Sequence, residues 1–243
     1  MRTIAFITIT LLAGAIAGTI LGILNQVVVE PFIERAIELE SQTAAQSSQI
    51  INPAEFAAYR SWQSGGEIVA GTILGLSIGS LFGIVFAYAR SFVPGSNNKK
   101  KALIVASILW FVLFFIPAFK YPANPPGVGD PETIYYRQIL YIVFLAISGF
   151  SALGLAFIYK NKGAWHAKKI IIIIPAAYAA IMAIAYLGMP PNPDTIHAPM
   201  DLVISFRIMS AVTISVFWGL LGVIFGAFWD KLNPHESARI SIS

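Results

Sequence analysis

The sequence predicts an all-α polytopic membrane protein with six transmembrane helices, and three observations support this class. Hydrophobic residues make up 57% of the 243 positions and charged residues only 12%, whereas soluble domains carry about a quarter charged residues. The mean hydropathy is +0.73. Uncharged stretches recur that are long enough to cross a hydrocarbon core of about 30 Å. These stretches are continuously apolar, which excludes the alternating pattern of a transmembrane β-barrel.

Six apolar stretches are predicted to cross the membrane, separated by three long loops. The predicted spans are residues 3–27, 67–89, 102–119, 138–159, 169–188 and 208–229. The long loops are residues 30–66, 120–137 and 189–207. The first apolar stretch exceeds the roughly 7–15 residues of a signal-peptide core, so we expect it to remain as a span. Residues 1–243 are therefore predicted to form a single transmembrane domain, multi-pass in the plasma membrane.

The distribution of charge predicts which side each loop occupies. Eleven of the sixteen lysines and arginines fall at the termini or in the short connections, and ten of the twelve acidic residues fall in or beside the long loops. Short loops rich in Lys and Arg stay on the cytoplasmic side, so both termini are predicted cytoplasmic and the long loops external. The basic residues next to the spans suit anionic lipid headgroups, and the net charge of +4 therefore does not indicate nucleic acid.

Each external loop repeats one pattern, in which Asn-Pro is followed by an aromatic residue and Arg, and then by a span. The pairs are Asn52-Pro53 with Tyr59-Arg60, Asn124-Pro125 with Tyr136-Arg137, and Asn192-Pro193 with Phe206-Arg207. Proline stops a helix because it lacks an N–H and restricts the residue before it. The repetition predicts three helical hairpins whose loops form stiff caps over the external end of the bundle.

Two of these arginines are predicted to begin spans, where a cation faces the positive end of the helix dipole. This unfavourable position predicts a carboxylate partner for each. The candidate partners are Glu132 or Asp130 for Arg137, and Asp201 or Asp194 for Arg207. The alternative is that each arginine extends its side chain to the lipid headgroups.

Small residues in the first two spans predict where these helices pack. Glycine recurs every fourth residue, at Gly14, Gly18 and Gly22 in the first span and at Gly71, Gly75, Gly79 and Gly83 in the second. In lipid, small residues allow two helix backbones to approach closely. A close contact between these spans is therefore predicted, and a glycine-lined pore is the alternative. The bulkier third to fifth spans are expected to face lipid or a partner subunit.

One external group of residues offers metal ligands. The candidates are His197, Asp194, Asp201, Asp130, Glu132 and Glu67. Imidazole combined with carboxylate oxygens suits Co, Ni, Zn or Mn, whereas oxygens alone suit Mg or Ca. His197 needs partners from other loops to bind a metal, and without them it is a surface residue.

No motif in the chain indicates an enzyme. The chain has no cysteine, no GxxxxGK[ST] nucleotide-binding pattern and no HExxH zinc-binding pattern. Few ionisable residues lie within the predicted spans, where they would mark a proton or ion path. We therefore expect no enzymatic activity and no organic cofactor.

Two stretches resemble the CbtA-type predicted cobalt transporter subunits. The first, residues 122–141, contains Asn124-Pro125-Pro126-Gly127, Asp130-Pro131-Glu132 and Arg137-Gln138. The second runs from Pro190-Pro191-Asn192-Pro193 to Trp218-Gly219-Leu220-Leu221-Gly222. With the six-span plan and the glycine-rich first helix, the resemblance covers nearly the whole chain. It implies a membrane subunit of a cobalt uptake system, with Co²⁺ as the transported substrate and a small histidine-bearing membrane protein as partner.

Two hypotheses about function follow. The leading one is a membrane subunit that takes up a divalent transition metal, with cobalt as the expected cargo. The resemblance implies histidines in the first external loop, but this loop carries Glu30, Glu34, Glu38, Glu40 and Glu55 instead. An acidic external surface would still concentrate a dication. The alternative is a non-transporting structural or accessory subunit of a larger membrane complex, which the scarcity of ionisable residues in the spans favours.

Overall fold

Helices make up every regular element in the computed structural model, which describes residues 3–46, 53–161, 167–232 and 234. The α-helices are α1 (Thr3–Val28), α2 (Glu30–Gln46), α3 (Pro53–Ala89), α4 (Asn98–Trp110), α5 (Ile116–Lys120), α6 (Ile134–Asn161), α7 (Ala167–Gly188) and α8 (Met200–Leu232). A π-helical segment, Phe111–Phe115, joins α4 to α5, and a 3₁₀ turn, Pro131–Thr133, precedes α6. The predicted all-α class is confirmed over these residues.

Five helices in the described part of the chain are long and apolar enough to cross a membrane. They are Thr3–Val28, Ala58–Ala89, Asn98–Lys120, Pro131–Lys160 and Met200–Leu232. A further apolar helix, Ile172–Gly188, belongs to a shorter class. It forms most of α7, which contains Pro175. Length and composition therefore support five membrane-crossing helices and one shorter apolar helix.

Two helices extend well beyond the predicted limits of their spans. α3 begins at Pro53, inside the predicted loop 30–66, and α8 begins at Met200, inside the predicted loop 189–207. Pro53 suits the first turn of a helix, where its missing N–H needs no partner. Arg207 consequently lies about two turns into α8 and not at its start, contrary to the prediction. Polar residues mark the end of an apolar stretch, but the backbone of these helices continues past it.

The chain forms two compact units. The first contains α1, α2, α3, α4 up to Ile108, and α8 from Asp201 onward. Its aromatic core joins α3 to α8, with ring centroids 4.9 Å apart for Phe82 with Phe225 and again for Phe86 with Trp229. The glycines of α8 allow a close approach to α4, since a Cβ on Gly226 would lie 2.6 Å from the Cα of Lys99.

The second unit covers Leu109–Met200 and contains the π-helical segment, α5, α6 and α7. The fully buried Ser148 of α6 donates a hydrogen bond of 2.5 Å to the carbonyl of Val112 in the π-helical segment. Its hydroxyl also lies 2.7 Å from the hydroxyl of Tyr178 on α7. Because Ser148 donates to the carbonyl, Tyr178 is the donor in this second bond. One polar chain therefore links three segments of this unit.

The three predicted hairpins do not all appear as packed pairs within one unit. α1 packs along α3, which corresponds to the first hairpin, and α6 packs on the segment from Phe111 to Lys120, which corresponds to the second. α6 also packs on α7. α7 belongs to the second unit and α8 to the first, so the third hairpin is divided between them.

Candidate functional site

The contact between α1 and α3 is made backbone to backbone through glycines. A Cβ on Gly71 would lie 2.7 Å from the carbonyl oxygen of Gly18, and one on Gly75 would lie 2.6 Å from the Cα of Gly18. A Cβ would also overlap backbone at both ends of the contact. On Gly22 it would lie 2.7 Å from the Cα of Ile68, and on Gly79 it would lie 2.7 Å from the Cα of Gly14. No side chain fits at these positions, so the two helices have essentially one possible spacing.

The remaining glycine of the series, Gly83, lies against a side chain and not against backbone. A Cβ there would lie 2.7 Å from the hydroxyl oxygen of Thr10. The structure therefore brings all seven glycines of the pattern, Gly14, Gly18, Gly22, Gly71, Gly75, Gly79 and Gly83, into one antiparallel helix contact. One further polar contact crosses it, a hydrogen bond of 2.8 Å between Thr19 and Thr72.

A group of polar side chains lies at the end of this contact where α1 leads into α2. We call it the Glu67 cluster, and its members are Gln26, Glu30, Arg60, Gln63, Ser64 and Glu67. The guanidinium of Arg60 pairs with the carboxylate of Glu30 and also donates to the side-chain oxygen of Gln63. Gln26 donates to the hydroxyl of Ser64 at 2.8 Å. The cluster therefore connects α1 and α2 to the first half of α3.

The ion pair in the Glu67 cluster is withdrawn from solvent. The side chain of Arg60 is 15% exposed and that of Glu30 is 13% exposed. Glu67 lies within electrostatic reach of both groups. Its Oε2 atom is buried and has no hydrogen-bond partner among the described residues. Buried carboxylate oxygens are normally paired or hydrogen-bonded, so this atom requires an explanation.

A second polar group holds the loops of the second unit together, and we call it the Asp194 clasp. The carboxylate of Asp194 forms an ion pair with Arg137, whose Nε lies 2.9 Å away, and accepts hydrogen bonds from the Thr133 hydroxyl at 2.7 Å and from the Asp130 backbone N–H at 3.1 Å. Its side chain is only 7% exposed. Arg137 also donates to the backbone carbonyls of Val128 and Asp130. The clasp therefore joins the loop before α6 to the loop after α7.

The backbone of the clasp requires glycine at one position. Gly129 has a φ of +93°, which side chains other than glycine rarely adopt. A Cβ at Gly129 would also lie 2.8 Å from an Arg137 nitrogen. The amide oxygen of Asn192 accepts from the backbone N–H of Asp194 at 3.2 Å, which fixes the turn that presents the carboxylate.

Lys120 and Tyr121 attach the end of α5 to the start of the loop after α7. The ammonium of Lys120 donates to the carbonyls of Tyr186 and Met189, at 2.7 and 3.0 Å, and lies 4.4 Å from the ring centroid of Tyr186. The hydroxyl of Tyr121 donates to the carbonyl of Pro190 at 2.6 Å. Burial, reinforced by the neighbouring Tyr136, raises the pKa of Tyr121, so its hydroxyl remains a donor at neutral pH.

The structure does not bring the six predicted metal ligands together. Within the described residues, no group of three or more His, Asp or Glu side chains is arranged to hold a metal ion. Glu67 and Asp201 belong to the first unit, and the other four candidates belong to the second. The exposed ring of His197 bonds to the hydroxyl of Thr195 at 2.8 Å. The carboxylate of Asp130 accepts from the backbone N–H of Glu132 at 2.9 Å.

The predicted partners of Arg137 were wrong. Arg137 forms its ion pair with Asp194 and not with Glu132 or Asp130, whose contribution is a backbone carbonyl. Asp201, predicted for Arg207, pairs at 3.2 Å with Arg35. Both carboxylates proposed for Arg207 are therefore engaged by other arginines.

The six residues predicted as caps differ in what the structure shows of them. Arg60 belongs to the Glu67 cluster, whereas Arg137 and Asn192 belong to the Asp194 clasp. Asn124 is half-buried in the loop before α6, beside the buried Pro125. Asn52 lies outside the described residues, and Arg207 is half-buried on α8.

Two polar features were not anticipated from the sequence. One is the chain from Tyr178 through Ser148 to the carbonyl of Val112, and the other is the bond between Gln26 and Ser64. Serine, tyrosine and glutamine are common in helices and carry no charge at neutral pH, so the pattern of charged residues along the sequence does not identify these bonds. One feature of the sequence pointed to the second bond: Gln26 is a polar residue within the first apolar helix, where it needs a hydrogen-bond partner.

These features define a class of protein: an all-helical membrane protein with a backbone-packed helix pair and two buried polar groups at helix ends. The family model described as "Probable cobalt transporter subunit (CbtA)" matches residues 3–230, which is nearly the whole chain. The chain belongs to this family, and the resemblance found in its sequence is confirmed. No curated protein and no solved structure matches it.

Proposed function

We propose that this protein is the membrane-embedded subunit of an uptake system whose cargo is Co²⁺. Membership of a family described as a probable cobalt transporter subunit carries this proposal. The five long apolar helices supply a membrane-spanning body. The Glu67 cluster gives that body charged side chains that are withdrawn from water, and such side chains in membrane proteins commonly mark an ion path.

We propose a topology of six spans with both termini in the cytoplasm of the plasma membrane. The five long apolar helices and the shorter α7 would be the spans. Lys and Arg concentrate at the termini and in the connections after α3, α6 and α8, which favours this orientation. The Glu67 cluster and the Asp194 clasp would then both lie at the external ends of their helices, where a cation enters.

The partner that we propose is a small membrane subunit bearing histidines. The family description as a subunit implies a partner. Imidazole is a better ligand for a transition metal than carboxylate alone, so a histidine-bearing partner would supply selectivity for cobalt. The exposed acidic residues of α2, among them Glu34 and Glu38, would attract the dication toward the membrane surface. We propose no enzymatic step and no organic cofactor for this chain.

Cobalt accumulation in cells tests this function. Cells that lack their own cobalt uptake would express the protein with and without a candidate histidine-bearing membrane subunit, and cellular cobalt would be measured by mass spectrometry at submicromolar Co²⁺. We expect accumulation only when both are present. Accumulation that does not change when this protein is omitted, together with stoichiometric co-purification with other membrane proteins, would favour the structural-subunit alternative.

A further inference from the structure

The buried oxygen of Glu67 is the observation that the proposed function does not yet use. Oε2 of this residue is buried without a hydrogen-bond partner in the described part of the chain. Glu67 directly precedes the charge-free stretch of α3 that begins at Ile68. A carboxylate at the edge of an apolar span that lacks a partner for one of its oxygens leaves that oxygen free to bind a ligand.

The charges in the Glu67 cluster do not balance. When both are ionised, Glu30 and Glu67 contribute two negative charges, whereas Arg60 contributes one positive charge. The guanidinium is committed to Glu30 and to the amide oxygen of Gln63. Once both carboxyl groups are ionised, the cluster has an excess of one negative charge next to an apolar environment, and a bound cation would favour that ionised state by neutralising the excess.

The helices around the cluster hold its position. A Cβ on Gly22 would lie 2.7 Å from the Cα of Ile68, so the backbones of α1 and α3 are in contact directly beside Glu67. The bond between Gln26 and Ser64 joins the same two helices on the far side of that contact. Gln26 and Ser64 supply two neutral oxygens of the kind that bind hard cations, an amide oxygen on α1 and a hydroxyl on α3.

We propose that the Glu67 cluster binds a divalent cation, with Glu67 and Glu30 as its carboxylate ligands and Arg60 as a resident counter-cation that the metal displaces. The inference deepens the proposed function and rests on it for the cargo, because it names the position at which the cation first leaves water. Binding transfers Glu30 from Arg60 to the metal, and no covalent bond changes.

Oxygen ligands determine how selective this position is. Carboxylate, amide and hydroxyl oxygens bind Mg²⁺, Mn²⁺ and Co²⁺ without a strong preference for cobalt. The Glu67 cluster is therefore a staging site along the path and not the source of cobalt selectivity. Millimolar Mg²⁺ is expected to compete with Co²⁺ here.

Metal binding to the purified full-length protein tests the site directly. Equilibrium dialysis against Co²⁺, with mass-spectrometric detection, would be compared for the wild type and Glu67→Gln. We expect affinity to fall roughly ten- to a hundredfold, the loss that follows from removing one charged ligand. Glu55→Gln is the matched control, because Glu55 is exposed in the first turn of the same helix. It is expected to bind Co²⁺ as the wild type does.

Arg60→Gln separates a binding role from a structural one. If Arg60 competes with the metal for Glu30, the Arg60→Gln variant should bind Co²⁺ more tightly than the wild type. If the ion pair only maintains the structure, Arg60→Gln and Glu67→Gln should both bind Co²⁺ more weakly. Glu67→Asp retains the charge and should retain binding to within a few fold. Unchanged binding in Glu67→Gln, or weaker binding in Arg60→Gln with a monodisperse protein, would overturn the proposal.

Cellular uptake distinguishes failure of this site from failure of the proposed function. If the wild type accumulates cobalt, and Glu67→Gln accumulates and binds cobalt equally well, the site is refuted and the proposed function stands. Absence of accumulation by the wild type, with Glu67-dependent Co²⁺ binding in vitro, would refute the function and leave the site standing.

Discussion

The two units of the molecule hold their helices together by opposite means. In the first unit, α1 and α3 meet backbone to backbone, and glycine excludes side chains from the contact. In the second, the loops at the helix ends are held by the Asp194 clasp and by Lys120. In lipid there is little hydrophobic drive between helices, so close backbone packing and polar bonds are the two available sources of cohesion.

The helices of the two units also differ in the fraction of their residues that is buried. In the most apolar window of α1, 39% of residues are buried, against 17% in that of α6. α6 therefore leaves more of its apolar surface open to lipid or a partner than α1 does, and its position depends more on a few directional bonds. Substitutions should consequently act through steric overlap in the first unit and through lost bonds in the second.

The largest effect is expected at the centre of the glycine contact. Gly75→Leu should destabilise the protein by about 3 kcal/mol, because the new side chain would overlap the backbone of α1. Thermal unfolding in detergent, followed by tryptophan fluorescence, measures the change. Gly154→Leu is the control, since nothing lies within 4 Å of a Cβ at that position. Equal losses in the two variants would contradict a contact specific to α1 and α3.

Loss of the guanidinium in the Asp194 clasp should have the next largest effect. Arg137→Met removes the counter-ion of the Asp194 carboxylate, whose side chain is 7% exposed. This change should lower the free energy of unfolding by about 2 kcal/mol. Arg35→Met is the comparison, because the ion pair of Arg35 with Asp201 is 54% and 65% exposed and is expected to contribute less than about 1 kcal/mol. Partial recovery in the double variant Arg137→Met, Asp194→Asn would show that the unpaired charge causes the loss.

A smaller effect is expected at the π-helical segment. Ser148→Ala removes the donor to the Val112 carbonyl and should lower the free energy of unfolding by about 1 kcal/mol. Tyr178→Phe removes only the second bond of the chain and should cost less. A Tyr178→Phe variant that is less stable than Ser148→Ala would contradict the view that the bond to the Val112 carbonyl is the stronger contribution of this chain.

The smallest effect is expected at the polar bond that lies within the glycine contact, between Thr19 and Thr72. Thr19→Val removes the hydrogen bond to Thr72 at similar volume and should cost about 0.6 kcal/mol, the typical value for such bonds between membrane helices. Ser77→Ala is the control, because Ser77 bonds only to a carbonyl of its own helix, Ile73. A loss as large as that at Gly75 would show that polar bonds, and not backbone approach, hold this pair together.

Local patterns were sufficient for the helices and for the glycine series. Apolar stretches of spanning length predict helices because the bilayer permits little else. A glycine every fourth residue lies on one helix face whatever surrounds it, so the series identified a packing face before any partner was known. The limits of α3 and α8 were missed, because charge ends an apolar stretch without ending the hydrogen bonding of the helix.

The sequence by itself determined the helical class, the family and the residues that bear charge. Only the tertiary structure decided which charges meet, and it joined Arg137 to Asp194 and Glu30 to Arg60 across long separations in the chain. Ion pairing depends on the loop path and on helix spacing, neither of which a linear pattern specifies. The unpartnered oxygen of Glu67 became visible only once α1 and α3 were packed at the distance that their glycines impose.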